Sequence, residues 1–414
     1  MTTIAPYRIA VPDSELADLK DRLSRTRFPD ELDGAAWDLG VPLADVKRLT
    51  AYWARTFDWR RAEAALNDGF PQYTAPIAVD GFGSIDVHFI HQRSARPGAT
   101  PLVFVHGWPG SFLEGTKLVG PLSRGDGGDE GGSAFHVVVP SLPNFGFSGG
   151  VAKRGFSIAQ HAEAVHRLML ALGYDRYATQ GGDWGFAVTR AMGHLYPEHA
   201  RAQHLNVQPA RPPSFWRHPV LAAESALRPW TDADRAGLER SRWFQREGSG
   251  YNQIQSTKPQ AVGYALADSP AALLGWIYEK LHDWSDAYPW TDDEICTWLS
   301  IYWFSTAGPA ASVRLYYENQ HEPGAAVGQN RGNLWAAMTK YQKGVKVGLA
   351  RFPREILVVP AVWSRQLGDV VYEKTHARGG HFAAWEAPEA IVGDLRAMFG
   401  KKGGAAGVFK SSKI

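Results

Sequence analysis

An aspartate flanked by glycines, Gly181-Gly182-Asp183-Trp184-Gly185, is the pattern in this chain with the clearest chemical meaning. Residues 174–180 ahead of it end as a short strand, and residues 186–194 after it read as a helix. Small residues around one reactive side chain at a strand-to-helix turn are the layout of a nucleophile elbow, where serine usually holds the centre. Such a turn strains the backbone of the central residue, and glycines keep side-chain atoms out of the neighbouring strand and helix. A carboxylate at the centre changes the chemistry. Serine attacks a carbonyl, whereas aspartate suits a saturated carbon bearing a leaving group and becomes an ester. Gly-Gly-Asp is also ordinary turn chemistry, so the reading stands on its partners. It needs donors for the ester's oxyanion, a base for water and an acid for the leaving group.

Each partner has a candidate. His106-Gly107-Trp108-Pro109 ends the apolar run 101–105, and the backbone N–H of Trp108 can face the same site as Asp183. The N–H of Trp184, next after the nucleophile, would be the second donor. One donor of this kind lowers the barrier by roughly 3–4 kcal/mol. His106 itself reads as structural. For the base, Gly379-Gly380-His381-Phe382 follows the last strand, where the order nucleophile, acid, histidine puts the imidazole; of the 14 histidines only His381 has that position. Its orienting acid should follow the preceding strand. Glu355, after strand 345–350, fits and is the acid expected to pair with His381; Asp369 competes if 356–362 is instead the strand. Either would hold the tautomer and stabilise the imidazolium without taking its proton.

These residues need a frame. Residues 13–28 read as a helix capped by Asp13 or Ser14, and 43–66 as a second amphipathic segment with Val46, Leu49, Trp53 and Phe57 inward. Segments 77–79 and 85–91 flank Gly81-Phe82-Gly83 as in a hairpin. Then strands at 101–105 and 135–139 and the strand before Asp183 alternate with helices at 112–122 and 157–172, the latter capped by Ser157. That alternation predicts an α/β fold with a doubly wound, mostly parallel sheet. Between about 210 and 332 the pattern becomes short helices between proline turns, with Trp216, Trp230, Trp243, Trp276, Trp284, Trp290, Trp298 and Trp303. This suggests a helical lid over an apolar site. Strands return at 345–350 and 370–375, followed by a helix at 386–399. The division expected is 1–75 for an amino-terminal helical segment and 76–210 for the first part of the core. The cap spans 211–332, the second part of the core 333–400, and a disordered tail 401–414.

Composition is that of a soluble globular protein, 44% hydrophobic and 21% charged, and a net charge of +2 argues against nucleic acid as a partner. The single cysteine, Cys296, excludes an internal disulfide and reads as a buried small residue. No apolar run reaches the length of a membrane span, and residues 1–11 lack a signal-peptide core, so the expected location is cytoplasmic. Ser412-Lys413-Ile414 is similar to the peroxisomal Ser-Lys-Leu address apart from its last residue. The glycine-rich stretch 125–133 lacks the Gly-Lys-Ser/Thr of a phosphate loop and carries acidic residues, so it reads as a surface loop.

His106-Gly107-Trp108-Pro109-Gly110-Ser111, Gly181-Gly182-Asp183-Trp184-Gly185, Gly379-Gly380-His381-Phe382-Ala383-Ala384 and the amino-terminal segment together resemble the microsomal-type epoxide hydrolases of the α/β-hydrolase superfamily, over residues 9–399. The resemblance implies an α/β-hydrolase core with an inserted helical cap, embraced by the amino-terminal segment. In that family two cap tyrosines bind and protonate the epoxide oxygen. The matching stretches are Glu247-Gly248-Ser249-Gly250-Tyr251 and Arg314-Leu315-Tyr316-Tyr317-Glu318-Asn319, which pick out Tyr251 and Tyr316, with Tyr317 as the adjacent alternative. A phenol of ordinary pKa near 10 can protonate a far more basic alkoxide.

The implied reaction turns an epoxide into a vicinal diol through an ester on Asp183, hydrolysed by water that His381 activates. The implied partners are the epoxide and water alone, without metal, nucleotide or other cofactor; a homo-oligomer is compatible with these residues and not required by them. Mammalian members carry a membrane-anchoring helix ahead of this segment, and these 414 residues contain no such stretch. Two rivals share the fold. A haloalkane dehalogenase also uses an aspartate followed by tryptophan but needs no tyrosine pair, and a non-catalytic binder often loses the nucleophile or the histidine.

Overall fold

Leu102-Val103-Phe104-Val105 and Val137-Val138-Val139 have no polar face to offer water, so they lie side by side in the middle of a sheet. In chain order the strands are β1 (Ala5–Pro6), β2 (Gln72–Val79), β3 (Gly83–Gln92), β4 (Thr100–Val105), β5 (Phe135–Pro140), β6 (Tyr177–Gly181), β7 (Ala200–Leu205), β8 (Gln342–Arg351) and β9 (Gly368–Thr375). In the computed structural model, which describes residues 2–125, 133–321 and 338–409, they form one sheet in the order β1-β2-β3-β5-β4-β6-β7-β8-β9. From β5 to β9 every neighbouring pair is parallel, while β1, β2 and β3 join antiparallel. This is an α/β-hydrolase fold.

The chain leaves β4 for β5 on one side and returns as β6 on the other. The crevice at the carboxyl ends of β4 and β6 is therefore a topological switch point, where open α/β sheets place their ligands. His106 to Trp108 follow β4, Asp183 follows β6, Glu355 follows β8 and His381 follows β9.

The amino-terminal helices are α1 (Asp13–Ser24), α2 (Leu43–Arg55) and α3 (Trp59–Gly69); those between the core strands are α4 (Thr116–Arg124), α5 (Ile158–Ala171) and α6 (Asp183–Leu195). Beyond β7 come α7 (Pro219–Leu227), α8 (Asp232–Trp243), α9 (Gly250–Thr257), α10 (Pro259–Asp268), α11 (Pro270–Asp283), α12 (Asp292–Trp303) and α13 (Arg314–Gln320). Helices α1 and α2 pack on α11, and α2 and α3 on α12. The seam is apolar inside and ionic at its rim: Trp53 Nε1 donates to Ser300 at 3.0 Å, and Arg48 and Arg61 pair with Asp292 and Asp293.

Local readings needed correction. Pro12, not Asp13 or Ser14, caps α1. The 43–66 segment is two helices, because Asp58 accepts the Arg61 N–H at 3.2 Å and restarts the chain. The 112–122 helix opens with a 3-10 turn, Phe112–Gly115. The 386–399 helix is a short turn, Ala383–Glu386, followed by Pro388–Phe399. The tail is not disordered up to residue 409: Ala405 is buried, and Phe409 lies 6.0 Å from the Phe399 ring. Most of the 125–133 loop, the 332/333 boundary and Ser412-Lys413-Ile414 lie outside the described residues. Among those described, no helix is long and apolar enough to cross a membrane.

Candidate active site

Asp183 has φ +48°, a left-handed backbone that costs a residue with a side chain about 1–3 kcal/mol and is kept only where the surroundings enforce it. The enforcement is steric. A side chain on Gly185 would run into the Val105 carbonyl oxygen, and one on Gly107 into the Asp183 carboxylate. The glycines thus let α6 start against the end of β4 and lift the Asp183 carboxylate above the sheet edge.

Its two oxygens differ. Asp183 Oδ1 accepts the Trp108 backbone N–H at 2.7 Å, while Oδ2 lies 3.4 Å from His381 Nε2. On the other ring edge, His381 Nδ1 meets Glu355 Oε1 at 2.6 Å. Glu355 and His381 are both buried. Burial alone would lower the His381 pKa, but the Glu355 and Asp183 carboxylates outweigh it and hold the ring well above its ordinary value. Trp184 stands in the first turn of α6, whose opening amides have no helical acceptor of their own and point to the same end as the Asp183 carboxylate.

Of the two candidate acids, the structure brings Glu355 to His381 and leaves Asp369 away from it. Asp369 pairs with Lys346 at 2.6 Å, half exposed. The reason is where the strand ends: β8 stops at Arg351, and residues 356–362 are not a strand. Of the two tyrosines, Tyr316 is 2% exposed and its ring sits 4.8 Å from Trp184. Tyr317 points the other way, stacked on His321 at 4.0 Å. Tyr251 from α9 and Tyr316 from α13 meet with ring centroids 5.8 Å apart. Trp108 lies 5.1 Å from Tyr251 and 5.7 Å from Tyr316. Burial, reinforced by the Asp183 charge, raises Tyr251, and burial with Tyr251 and Asp183 raises Tyr316, so both phenols keep their protons near neutrality. The groups that face the Tyr316 hydroxyl are Tyr251 and Trp184.

A strained aspartate between a backbone donor and a buried His–Glu pair, faced by two phenols, is the arrangement that the comparisons with known proteins address. Residues 4–115 match the family model described as epoxide hydrolase N terminus, and residues 100–251 the one described as alpha/beta hydrolase fold. A Stigmatella aurantiaca relative is 40% identical, covering 96% of this chain and 84% of its own. Epoxide hydrolase 1 of Sus scrofa is 33% identical over 96% of this chain and 89% of its own. The chain belongs to the epoxide hydrolase family. Among solved structures, the Aspergillus niger epoxide hydrolase superposes with a TM-score of 0.79 at 31% identity, over 95% of each chain.

Within that family frame, several further residues support the site. Trp284, fully buried, accepts the His381 backbone N–H at 2.8 Å through its carbonyl and sets its ring 4.9 Å from the imidazole. Asp286 accepts the Gly379 N–H at 2.8 Å, and Glu386 accepts from both Asp286 and Phe382. Burial, eased by those donors, pushes Glu386 up to about 7. Trp298 and Tyr302 of α12 donate to the carbonyls of Pro109 and Gly110, each at 2.6 Å, and so hold the turn that presents the Trp108 N–H. Glu114 lines the cavity next to Asp183, yet Ser111-x-x-Glu114 reads in sequence as a helix-capping pair, and Ser111 Oγ does accept the Leu113 N–H. Of the aromatic insertion, Trp284, Trp298 and Trp303 are buried, whereas Trp216 and Trp230 face outward and roof nothing.

His106 is buried, and Leu142 N–H donates to its Nε2 at 3.1 Å, so Nδ1 carries the proton toward the Gly107 carbonyl. Burial pushes it down to about 4. It braces the turn as a neutral ring. Cys296, at 0% exposure, packs inside α12 with its thiol pushed up by burial.

Proposed function

We propose that this epoxide hydrolase opens its substrate in two steps, with Asp183 as nucleophile. The observation that carries the proposal is the division of labour on one carboxylate: Oδ1 on the Trp108 N–H, Oδ2 toward His381. Oδ2 attacks an epoxide carbon, the C–O bond opposite breaks, and the oxygen takes a proton from Tyr251 or Tyr316. Oδ1 is then the carbonyl oxygen of the ester, resting on the N–H groups of Trp108 and Trp184.

Ester formation also changes His381. In the free site two carboxylates raise it; esterification removes the Asp183 charge, lowers its pKa and leaves a better base. His381, oriented by Glu355, takes a proton from water whose oxygen bonds to the ester carbon. The intermediate collapses by breaking the bond from that carbon to Oδ2, which leaves in the diol with the proton from His381. The proton left on Asp183 returns to the tyrosinate.

For this reading the amino-terminal segment is 1–75, the core 76–210 and 333–400, and the cap 211–332. The aromatic walls favour apolar epoxides. The test is a single turnover of styrene oxide in oxygen-18 water: the label should enter the Asp183 peptide and not the first diol. Label in the diol alone would mean direct hydration and end the scheme. Chloride release from a chloroalkane without diol formation would favour the dehalogenase.

A further inference from the structure

Glu114 is a buried carboxyl that the two-step reaction leaves without a task. It stands in the 3-10 turn Phe112–Gly115, two turns of chain beyond the Trp108 donor, and accepts from the Gly107 backbone N–H. Room for it is made by glycine: a side-chain carbon on Gly110 would sit on Glu114 Oε1. Beside it is a cavity of about 10 Å³ lined by Asp183, His381, Asn206 and Gly182 as well as Glu114. That is about the room one water needs, and a buried water needs two to four polar partners. Neither tyrosine lines this cavity, so it is a different space from the one where an epoxide oxygen would meet the phenols. Asn206 is itself held, its Oδ1 accepting from Gln180 at 2.8 Å.

We propose that this cavity seats the hydrolytic water, and that Glu114 positions it. One water hydrogen points to His381 Nε2 and the other to a Glu114 oxygen, which turns the lone pair to the Asp183 ester carbon. When the oxygen–carbon bond forms, the first proton goes to His381; Glu114 gains and loses none. The assignment rests on the ester reading above. Burial, opposed by His381 and reinforced by Asp183, pushes Glu114 up to about 8, so near neutrality it is chiefly the uncharged acid.

The experiment separates the two half-reactions by rapid quench and intact-mass measurement with styrene oxide. Glu114→Leu should leave ester formation within about twofold of the parent and slow ester hydrolysis by about tenfold or more, so that the one-substrate adduct accumulates. Glu114→Gln, which keeps an acceptor oxygen in place, should hydrolyse within about threefold of the parent. Glu114→Asp draws the oxygen back by one methylene and should be slow, which keeps the test alive if the leucine variant does not fold. Parent-like hydrolysis in both Leu and Asp variants, or equal losses in both half-reactions, overturns the assignment. If His381→Gln accumulates no adduct either, the ester reading itself has failed, a result distinguishable from a failure of Glu114 alone.

Discussion

The floor and the roof of the site are built on different principles. On the floor, Asp183, Glu355 and His381 stand at strand ends and are held by hydrogen bonds from backbone or from one another: Trp108 N–H on Asp183 Oδ1, and Ile356 N–H and His381 both on Glu355 Oε1. On the roof, Tyr251, Tyr316 and Trp284 are held by ring packing, and the Tyr316 hydroxyl faces two uncharged groups, Tyr251 and Trp184. Charged groups thus make the floor and uncharged ones the roof, and under the proposed reaction the roof would serve ring opening and the floor ester hydrolysis. This difference teaches which half-reaction each should govern.

The largest break is Asp183→Ala, expected to lower diol formation by at least about a thousandfold while leaving no adduct. Next, His381→Gln should lower kcat by about 10²–10⁴-fold, with ester formed at a near-parent rate and detected by intact mass. Roof changes should do the reverse. Tyr251→Phe and Tyr316→Phe should each slow single-turnover ester formation by about a hundredfold, without adduct accumulation. Unchanged ester formation in both would remove the tyrosines from the scheme. Asp286→Ala, which deprives the Gly379 N–H of its acceptor, is smaller: about 1–3 kcal/mol of stability by denaturant melt and a several-fold loss confined to hydrolysis.

The frame beneath the floor predicts a pH effect on stability alone. His88 and His161 are pushed down to about 3 and His106 to about 4, each by burial. Unfolded, they bind protons near pH 6.5; folded, they do not, so the unfolded state gains protons as the pH falls and stability drops between about 6.5 and 4. His381, raised when folded, works the other way: its contribution is complete below about 6.5 and is lost as the pH rises through its folded value. Glu114 and Glu386, raised by burial to about 8 and about 7, offset the drop near neutrality, so melting temperatures should fall chiefly between about pH 6 and 4; a flat profile there would contradict the buried neutral rings.

Legibility in the sequence follows the reach of each constraint. The elbow at Asp183, the turn after β4 and the loop at His381 are short stretches in which glycine and strand end must coincide, so local pattern exposes them. Glu355 was the expected acid with Asp369 as its competitor, and the competition arose because where β8 ends is decided by its pairing with β7 and β9. Tyr316 and Tyr317 could be separated only by which side of α13 meets α9. Glu114 hid behind a capping pattern, and Asp286 and Glu386 behind ordinary surface chemistry.

By itself the amino-acid sequence determined the alternation of strand and helix, the aspartate at the elbow and the order of aspartate, second carboxyl and histidine along the chain. Those are set by hydrophobic period and by backbone angles that few residues tolerate. Only the tertiary structure decided which carboxyl reaches His381, which phenol faces Asp183 and that Glu114 shares a water-sized cavity with both, because each depends on contacts between elements far apart in the chain.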